Sequence, residues 1–331
     1  MSTSPLRSAM VPVSRQMRAY FAPVNRASET PTIFDPGLNG AFEPDAPPAP
    51  WIDLGWIDNF ERWYSTATSV VRAGAKGFPA AQFRGAIEAG VQFDFRQWGK
   101  LQMALAGGSE HMNVLAPATG ATTPSPSGGV AAAAVAVLTG STASELVFGS
   151  GVASAFAVGT MLAVDVDYAE GTGFVGSGIA GAYVSDGAAV NDDPNYVRRV
   201  TFNVGRVAEV TETSVVLAQA LPGGAPAAGA GAQVVVGFVD REGGSFFQEW
   251  SALFVAEEES GGRVCFYYPR LGPNPGGTGK IAREVGAEIA KPLAAMALRA
   301  SFLALPMNDP NDGQSVVCYR SYFPAAGSGV Y

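Results

Sequence analysis

Two glycine-rich stretches have the spacing of nucleotide-binding motifs, but each lacks a part that the chemistry needs. Residues 176–181 (GSGIAG) have the spacing of a dinucleotide-binding turn. That turn also needs a preceding strand, a helix that opens on it and an acidic residue about 20 positions later. Residues 276–280 (GGTGK) are similar to a phosphate-binding loop, but Asn274 and Ile281 replace its first glycine and its final hydroxyl. We interpret both as loops and predict no cofactor.

Acidic residues and a single histidine give little basis for a metal centre or a catalytic site. His111 is the only histidine, which excludes a multi-histidine metal site and leaves any Ser-His-Asp arrangement dependent on one residue. Asp165 and Asp167 share a strand face, and Asp192 and Asp193 follow in a loop, without the spacing of a calcium loop. We therefore predict no metal site and no catalytic residue, and expect that the chain is not an enzyme.

Aromatic residues cluster near the C-terminal third, where they suggest either a sugar-binding platform or a packed core. They alternate with other residues in two strand-like runs joined by the charged turn at Glu257, Glu258 and Glu259. Paired strands explain such alternation as core and cross-strand contacts, so we expect a β-hairpin with a buried aromatic face. The residues are Phe246, Phe247, Trp250, Phe254, Phe266, Tyr267 and Tyr268.

Composition indicates a mainly β protein with a large core. The chain has 331 residues, of which 47% are hydrophobic and only 15% charged, with 41 glycines and 23 prolines. This balance favours turns and short connections over long charged helices. The net charge of −8 argues against general nucleic-acid binding, which depends on Lys and Arg at phosphates. We see no signal peptide and no membrane span, and expect Cys265 and Cys318 to be buried thiols rather than a disulfide.

Shifts in composition divide the chain into four parts. Residues 1–50 are rich in proline and small residues and are expected to form an extended N-terminal arm. A linker composition over 118–128 separates a first β domain, made of 51–117 and 245–331, from an inserted domain over 129–244. The inserted domain has short strand-like runs between glycine-rich turns, which predicts a small β-barrel or sandwich.

The strongest pattern is a long alternation over residues 81–95, where apolar and polar side chains take turns. Its predicted polar face consists of Gln82, Arg84, Glu88, Gln92 and Asp94. Fifteen residues at about 3.3 Å each give a strand far longer than the usual ~17–20 Å. Such a strand needs long neighbours, in a barrel, a large sandwich or a sheet that continues across subunits. A helical stripe follows over 96–106, with Trp98, Leu101 and Leu105 on one side and Gly107-Gly108 as its end.

Taken together, these features resemble a tail tube protein of a tailed bacteriophage. The resemblance rests on residues 51–60 (WIDLGWIDNF), 85–95 (GAIEAGVQFDF) with the helix after it, and 298–306 (LRASFLALP). It covers about 50–115 and 246–331, and depends on layout more than on an invariant motif. It implies a β-sandwich or barrel with a flanking helix, assembled into hexameric rings that stack into a tube. The resemblance implies no catalytic residues, and it implies that residues 129–244 form an inserted domain on the outer surface of the tube.

The resemblance also implies partners and a location. The chain would bind copies of itself and other tail proteins, such as a sheath, a terminator or a baseplate initiator, in a virion tail assembled in the host cytoplasm. Genomic DNA would pass through without specific binding, along the polar face named above, and no membrane is involved. The proline-rich arm would clasp a neighbouring ring through Phe42, Pro44, Pro47, Pro48 and Pro50.

Two other classes remain open. A capsid decoration protein or major capsid component would share the glycine-rich β composition and the lack of catalytic groups, but would not need the long strand. A carbohydrate-binding or hydrolytic tail component would need paired carboxylates beside exposed aromatic residues, and no such pair is evident in the sequence.

Overall fold

The computed structural model describes residues 14–25, 27–73, 77–116, 118, 132–165, 203–241, 249–259, 261–274 and 298–325. Within these ranges the chain is mainly β-structure, as its composition predicts. One α-helix is present in them, α1 (Lys100–Gly107), together with 3-10 turns at Pro36–Ala41 and Ala153–Ala155. The strands are β1 (Ser14–Pro23), β2 (Ile52–Ala73), β3 (Phe78–Phe95), β4 (Glu110–Leu115), β5 (Val135–Ala136), β6 (Glu145–Val147), β7 (Met161–Asp165), β8 (Val204–Val210), β9 (Ser214–Leu217), β10 (Gly231–Arg241), β11 (Trp250–Glu258), β12 (Arg263–Pro273), β13 (Leu298–Leu305), β14 (Met307–Asn308), β15 (Ser315–Val316) and β16 (Tyr319–Phe323).

Six antiparallel strands close into a barrel in the order β11-β1-β2-β3-β13-β12, and β12 pairs again with β11. One edge of β12 follows β11 over most of its length. Its other edge is divided, because residues 263–267 pair with β16 and residues 270–273 pair with β13. Closure gives every barrel strand a partner on both sides, which removes the open edges that make sheets aggregate.

The barrel interior is filled by aromatic rings from four different strands. Phe21, Phe93, Phe254 and Phe302 are fully buried, and Phe93 stacks on Phe302 with ring centroids 5.7 Å apart. Burying one such side chain stabilises a protein by about 1.5–3 kcal/mol. Over residues 91–95 the alternation in β3 therefore points the apolar side chains into the barrel, as the sequence indicates.

The helix is shorter than the predicted span over 96–106. Trp98 precedes α1 and is 43% exposed, whereas Leu101 and Leu105 are buried against the barrel. Gly108 ends the helix as predicted, with φ at +61° and its N–H donating to the carbonyl of Ala104. Glycine adopts this left-handed conformation without a steric cost.

The expected extended arm over residues 1–50 is not a free arm, since β1 is a strand of the barrel wall between β11 and β2, and the 3-10 turn at Pro36–Ala41 interrupts the extended chain. Phe21 faces the barrel core, and Tyr20 on the other face joins a second cluster with Phe34, Phe42 and Trp51. Both faces of β1 are buried, so the strand lacks the alternation by which a half-buried strand is recognised.

A second antiparallel sheet contains β4-β10-β7-β8-β9-β6, with β5 also paired to β10. Its separate core includes Leu146, Phe148 and Leu162. The predicted boundary near 118 differs from this arrangement, because β4 already belongs to the second sheet. A strand expected at 153–156 is instead the 3-10 turn, and most of the predicted linker lies outside the described residues.

The two cysteines are free thiols, with Cys265 buried and Cys318 half-buried. Burial raises the pKa of the Cys265 thiol to about 12, so the thiolate, which is the reactive form, is scarce at neutral pH.

Candidate functional site

Two barrel strands continue past the barrel and form a projecting two-stranded ribbon. Pairing of β1 with β2 extends no further along β2 than Ile57, and pairing of β13 with β3 extends no further back than Ala89. We call residues 64–73 and 78–88 the ribbon, since in the described structure these segments pair only with each other. Ten residues at about 3.3 Å each make the ribbon roughly 30 Å long.

The ribbon exposes large apolar side chains. Tyr64 is 77% exposed and Ile87 is 47% exposed, and Val70 and Val71 are also exposed. An isolated two-stranded hairpin is marginally stable in water, and its two outer edges offer unpaired N–H and C=O groups to another strand. The ribbon is therefore a surface that gains stability when something covers it.

Irregular pairing changes which residues share a face. Asp58 opposes Asp94 but Glu61 opposes Gln92, so β2 contains one extra residue in this interval. Asn59 lies in it with φ at +52°, and such a bulge re-aims the strand. A second shift follows, because Thr66 opposes Ile87 whereas Val70 opposes Gln82.

The second shift divides the predicted polar face. Gln82 lies on the face of Ile87 and Val70, opposite to the face of Glu88, because an added residue reverses the alternation. The predicted face of Gln82, Arg84, Glu88, Gln92 and Asp94 is therefore divided, because Gln82 lies on the side opposite to Glu88. The backbone of Arg84 pairs opposite Thr68, and its side chain lies outside the described residues.

The remaining polar residues are held in contacts at the base of the ribbon. Gln92 donates to Glu61. Asp94 is only 6% exposed and accepts hydrogen bonds from Arg299 at 2.7 and 3.1 Å and from Asn59 at 2.6 Å. Burial raises the pKa of Asp94, but these hydrogen bonds outweigh it and hold the pKa below its usual value. Asp94 is thus an ionised, buried partner rather than the free surface charge that the sequence predicts.

The outward face at the base of the ribbon nevertheless has more carboxylates than guanidiniums. Arg96 donates to the exposed carboxylate of Asp58 at 2.5 and 2.7 Å, and Glu88 is exposed. Across β2, β3 and β13, the carboxylates of Asp58, Glu61, Glu88 and Asp94 share the outward face with the guanidiniums of Arg96 and Arg299, which pair with Asp58 and Asp94. This outward patch keeps a negative balance.

The expected inter-ring clasp is attached to its own barrel. Phe42 is 7% exposed, with its ring centroid 5.0 Å from that of Tyr20. The Tyr20 hydroxyl donates to the carbonyl of Pro44 at 3.1 Å, and Arg18 donates to Asp45 at 2.7 Å. Pro47 and Pro50 are half-buried and Pro48 is exposed. The sequence missed this attachment because prolines indicate extended chain and not what the chain packs on.

Arginine closes one end of the barrel interior. The Arg62 guanidinium lies 4.6 Å from the ring centroid of Phe266, and its Nε donates to the Tyr268 hydroxyl at 2.6 Å. A cation over an aromatic face is favourable. Sequence reasoning missed Arg62 because its aromatic partners lie about 200 residues later in the chain and meet it only through the fold.

No group of three or more metal-ligating side chains occurs among the described residues. The two glycine-rich motifs, Asp167, Asp192, Asp193 and the side chains of His111 and Asp165 lie outside them. In the same ranges, no helix is long and apolar enough to span a membrane. Compared with known proteins, the chain matches no family model and no curated sequence.

Proposed function

We propose that the chain is a structural subunit of the tail tube of a tailed bacteriophage, which assembles into stacked rings, six subunits each, around a channel for DNA. The observation that carries the proposal is the ribbon. Its two strands are anchored in a closed barrel, its edges are unpaired among the described residues, and its apolar side chains are exposed. A second copy that adds strands to these edges satisfies the backbone groups and covers Tyr64, Val70 and Ile87.

Charge supports the same assignment. A wall that lets DNA pass must not hold phosphates, and each neutralised phosphate adds binding free energy through counterion release. The net charge is −8, and the outward patch at the base of the ribbon has a negative balance. In the proposed tube, Glu61 and Glu88 face the channel, and the second sheet lies on the outer surface.

Because the proline-rich segment packs on its own barrel, the proposal no longer assigns contacts between rings to it. Phe42 and Pro44 contact the chain's own barrel, so contacts between rings are assigned to the ribbon and not to this segment.

Electron microscopy of the purified protein over a concentration series tests the proposal, with sedimentation velocity on the same samples. Rings or hollow tubes with a regular axial repeat and a bore as wide as duplex DNA are expected. A protein that stays monomeric throughout and binds purified capsids instead contradicts the tube and favours a capsid decoration protein.

A further inference from the structure

A cavity of about 310 Å³ lies where the loop after β1 meets the β14–β15 hairpin. None of its lining residues belongs to the ribbon. Small-molecule sites in proteins span about 300–1,000 Å³, so the cavity has room for one amino-acid-sized group.

Aromatic rings form one wall of the cavity. Tyr267 and Phe34 are nearly fully buried, with ring centroids 6.1 Å apart. Tyr319 stacks on Tyr267 at 5.9 Å with the two planes 20° apart. The Tyr267 hydroxyl donates to the carbonyl of Thr32 at 2.9 Å, which fixes the ring in place. Burial and the neighbouring Asp309 raise the pKa of Tyr319 to about 12, so this wall is uncharged at neutral pH.

Two carboxylates line the cavity, Asp35 from the loop after β1 and Asp309 from the β14–β15 hairpin, and none of the described lining residues is Lys, Arg or His. Asp35 Oδ1 accepts from the backbone N–H of Gly37 at 2.7 Å. Asp309 Oδ2 accepts from the Tyr319 hydroxyl at 2.6 Å, and its Oδ1 accepts from the backbone and the amide of Asn311 at 2.9 and 3.0 Å. The hydrogen bond from Tyr319, with those from Asn311, lowers the pKa of Asp309. Both carboxylates are thus held in position before any ligand arrives.

We propose that this cavity binds an organic cation with a planar guanidinium head on an apolar stem, as in the side chain of arginine. Carboxylates accept a guanidinium through strong, directional hydrogen bonds, and the partly exposed ring of Tyr319 attracts a cation electrostatically. Ile33, Pro36 and Pro310 supply apolar contacts for the stem. The inference does not depend on the proposed tube.

Calorimetric titration of the full chain with N-acetyl-arginine amide tests the site. We expect one saturable site, with a Kd of about 1 mM or tighter for a ligand of this size. The neutral isostere N-acetyl-citrulline amide is expected to bind at least about tenfold more weakly, since it lacks the charge-assisted hydrogen bonds. An arginine peptide with apolar neighbours, acetyl-Pro-Leu-Arg-Ser amide, forms a second arm. Tighter binding of the peptide identifies a protein segment as the ligand, and equal binding identifies a free guanidinium compound.

Matched variants separate the site from general charge attraction. Asp309→Asn and Asp35→Asn each keep the shape and one acceptor oxygen but remove the charge, and each is expected to weaken arginine binding at least about threefold. Asp312→Asn is the control, because Asp312 is in the same hairpin loop but does not line the cavity. Thermal unfolding confirms that each variant is folded. Equal binding of citrulline, unchanged binding in both cavity variants, or an equal loss in Asp312→Asn overturns the proposal.

Discussion

Arg299 on β13 and Asp94 on β3 form a two-point ion pair, with Nε donating to Oδ1 at 2.7 Å and Nη2 donating to Oδ2 at 3.1 Å. The two residues lie directly opposite each other in the pairing of these strands. Asn59 on β2 donates to the same carboxylate. One buried side chain therefore joins three strands of the barrel, β2, β3 and β13.

Replacing Asp94 with Asn is expected to destabilise the protein by about 1–3 kcal/mol, since the charged hydrogen bonds from Arg299 are lost. The contribution depends on pH. Because the folded pKa of Asp94 is lowered, its stabilisation is complete above the ordinary Asp pKa of about 3.9 and is lost as pH falls through the folded value. Urea unfolding of both proteins from pH 2 to 6 measures this, and the difference must shrink below about pH 4.

Asp58→Asn is the control for this change, because Asp58 pairs with Arg96 on the exposed surface. Exposed ion pairs contribute about 0–1 kcal/mol. If Asp58→Asn costs as much as Asp94→Asn, the joining role of Asp94 is wrong.

The sequence predicts strands with one solvent-exposed face better than strands that are buried on both faces. In β3 the alternation of Val91, Phe93 and Phe95 with polar residues marks the inward face correctly. In β1, Tyr20 and Phe21 are adjacent and both fully buried, so no period of two appears and the sequence predicts an arm here instead of a strand. Burial on both faces removes the signal that the prediction uses.

The candidate site shows a second limit. Strict alternation assigns Gln82 and Glu88 to one face, but a single added residue in the pairing separates them. A register shift depends on how two strands pair, so the alternation within one strand does not reveal it. The cavity was missed for a related reason, because Asp35 and Asp309 are far apart in the chain and meet only through the fold.

The ribbon side chains are expected to govern assembly without affecting the fold of one subunit. The double change Tyr64→Ser and Ile87→Ser removes apolar groups that are exposed in the monomer, so the free energy of unfolding should change by no more than about 0.5 kcal/mol per site. Assembly measured by sedimentation velocity should be lost, since the covered apolar area is what stabilises contact between copies.

Leu138→Ser with Val158→Ser provides the comparison for this change, because both residues are exposed in segments that connect strands of the second sheet. This pair should assemble like the unchanged protein. Equal loss of assembly in both double variants indicates a general loss of surface hydrophobicity and contradicts a specific role for the ribbon.

Lys100, in the first turn of α1, should make stability rise with alkaline pH. Burial lowers its pKa to about 7, and its Nζ donates to Asn113 at 2.7 Å. Between about pH 7 and the ordinary lysine pKa of about 10.4, the unfolded chain binds more protons than the folded one, so the free energy of unfolding increases with pH. Relative to Lys100→Met, the unchanged protein should gain at least about 1 kcal/mol from pH 7 to 10. Guanidinium unfolding measures this. If the difference in unfolding free energy between the two proteins does not change with pH, the pKa of Lys100 is not lowered.

Gly90 is placed where a side chain has no room. A Cβ at this position would lie 2.5 Å from the carbonyl oxygen of Phe302 and 2.6 Å from the ring of Trp63. Trp63 opposes Gly90 at the root of the ribbon, so the backbone of β13 and a large ring would both have to move. Gly90→Ala is therefore expected to destabilise the protein by about 1–3 kcal/mol in thermal or urea unfolding. Gly237→Ala, in β10 with open space at its Cβ, should change stability by about 1 kcal/mol or less. Equal effects of the two changes would mean that Trp63 does not pack on Gly90 and that the ribbon is not anchored at this point.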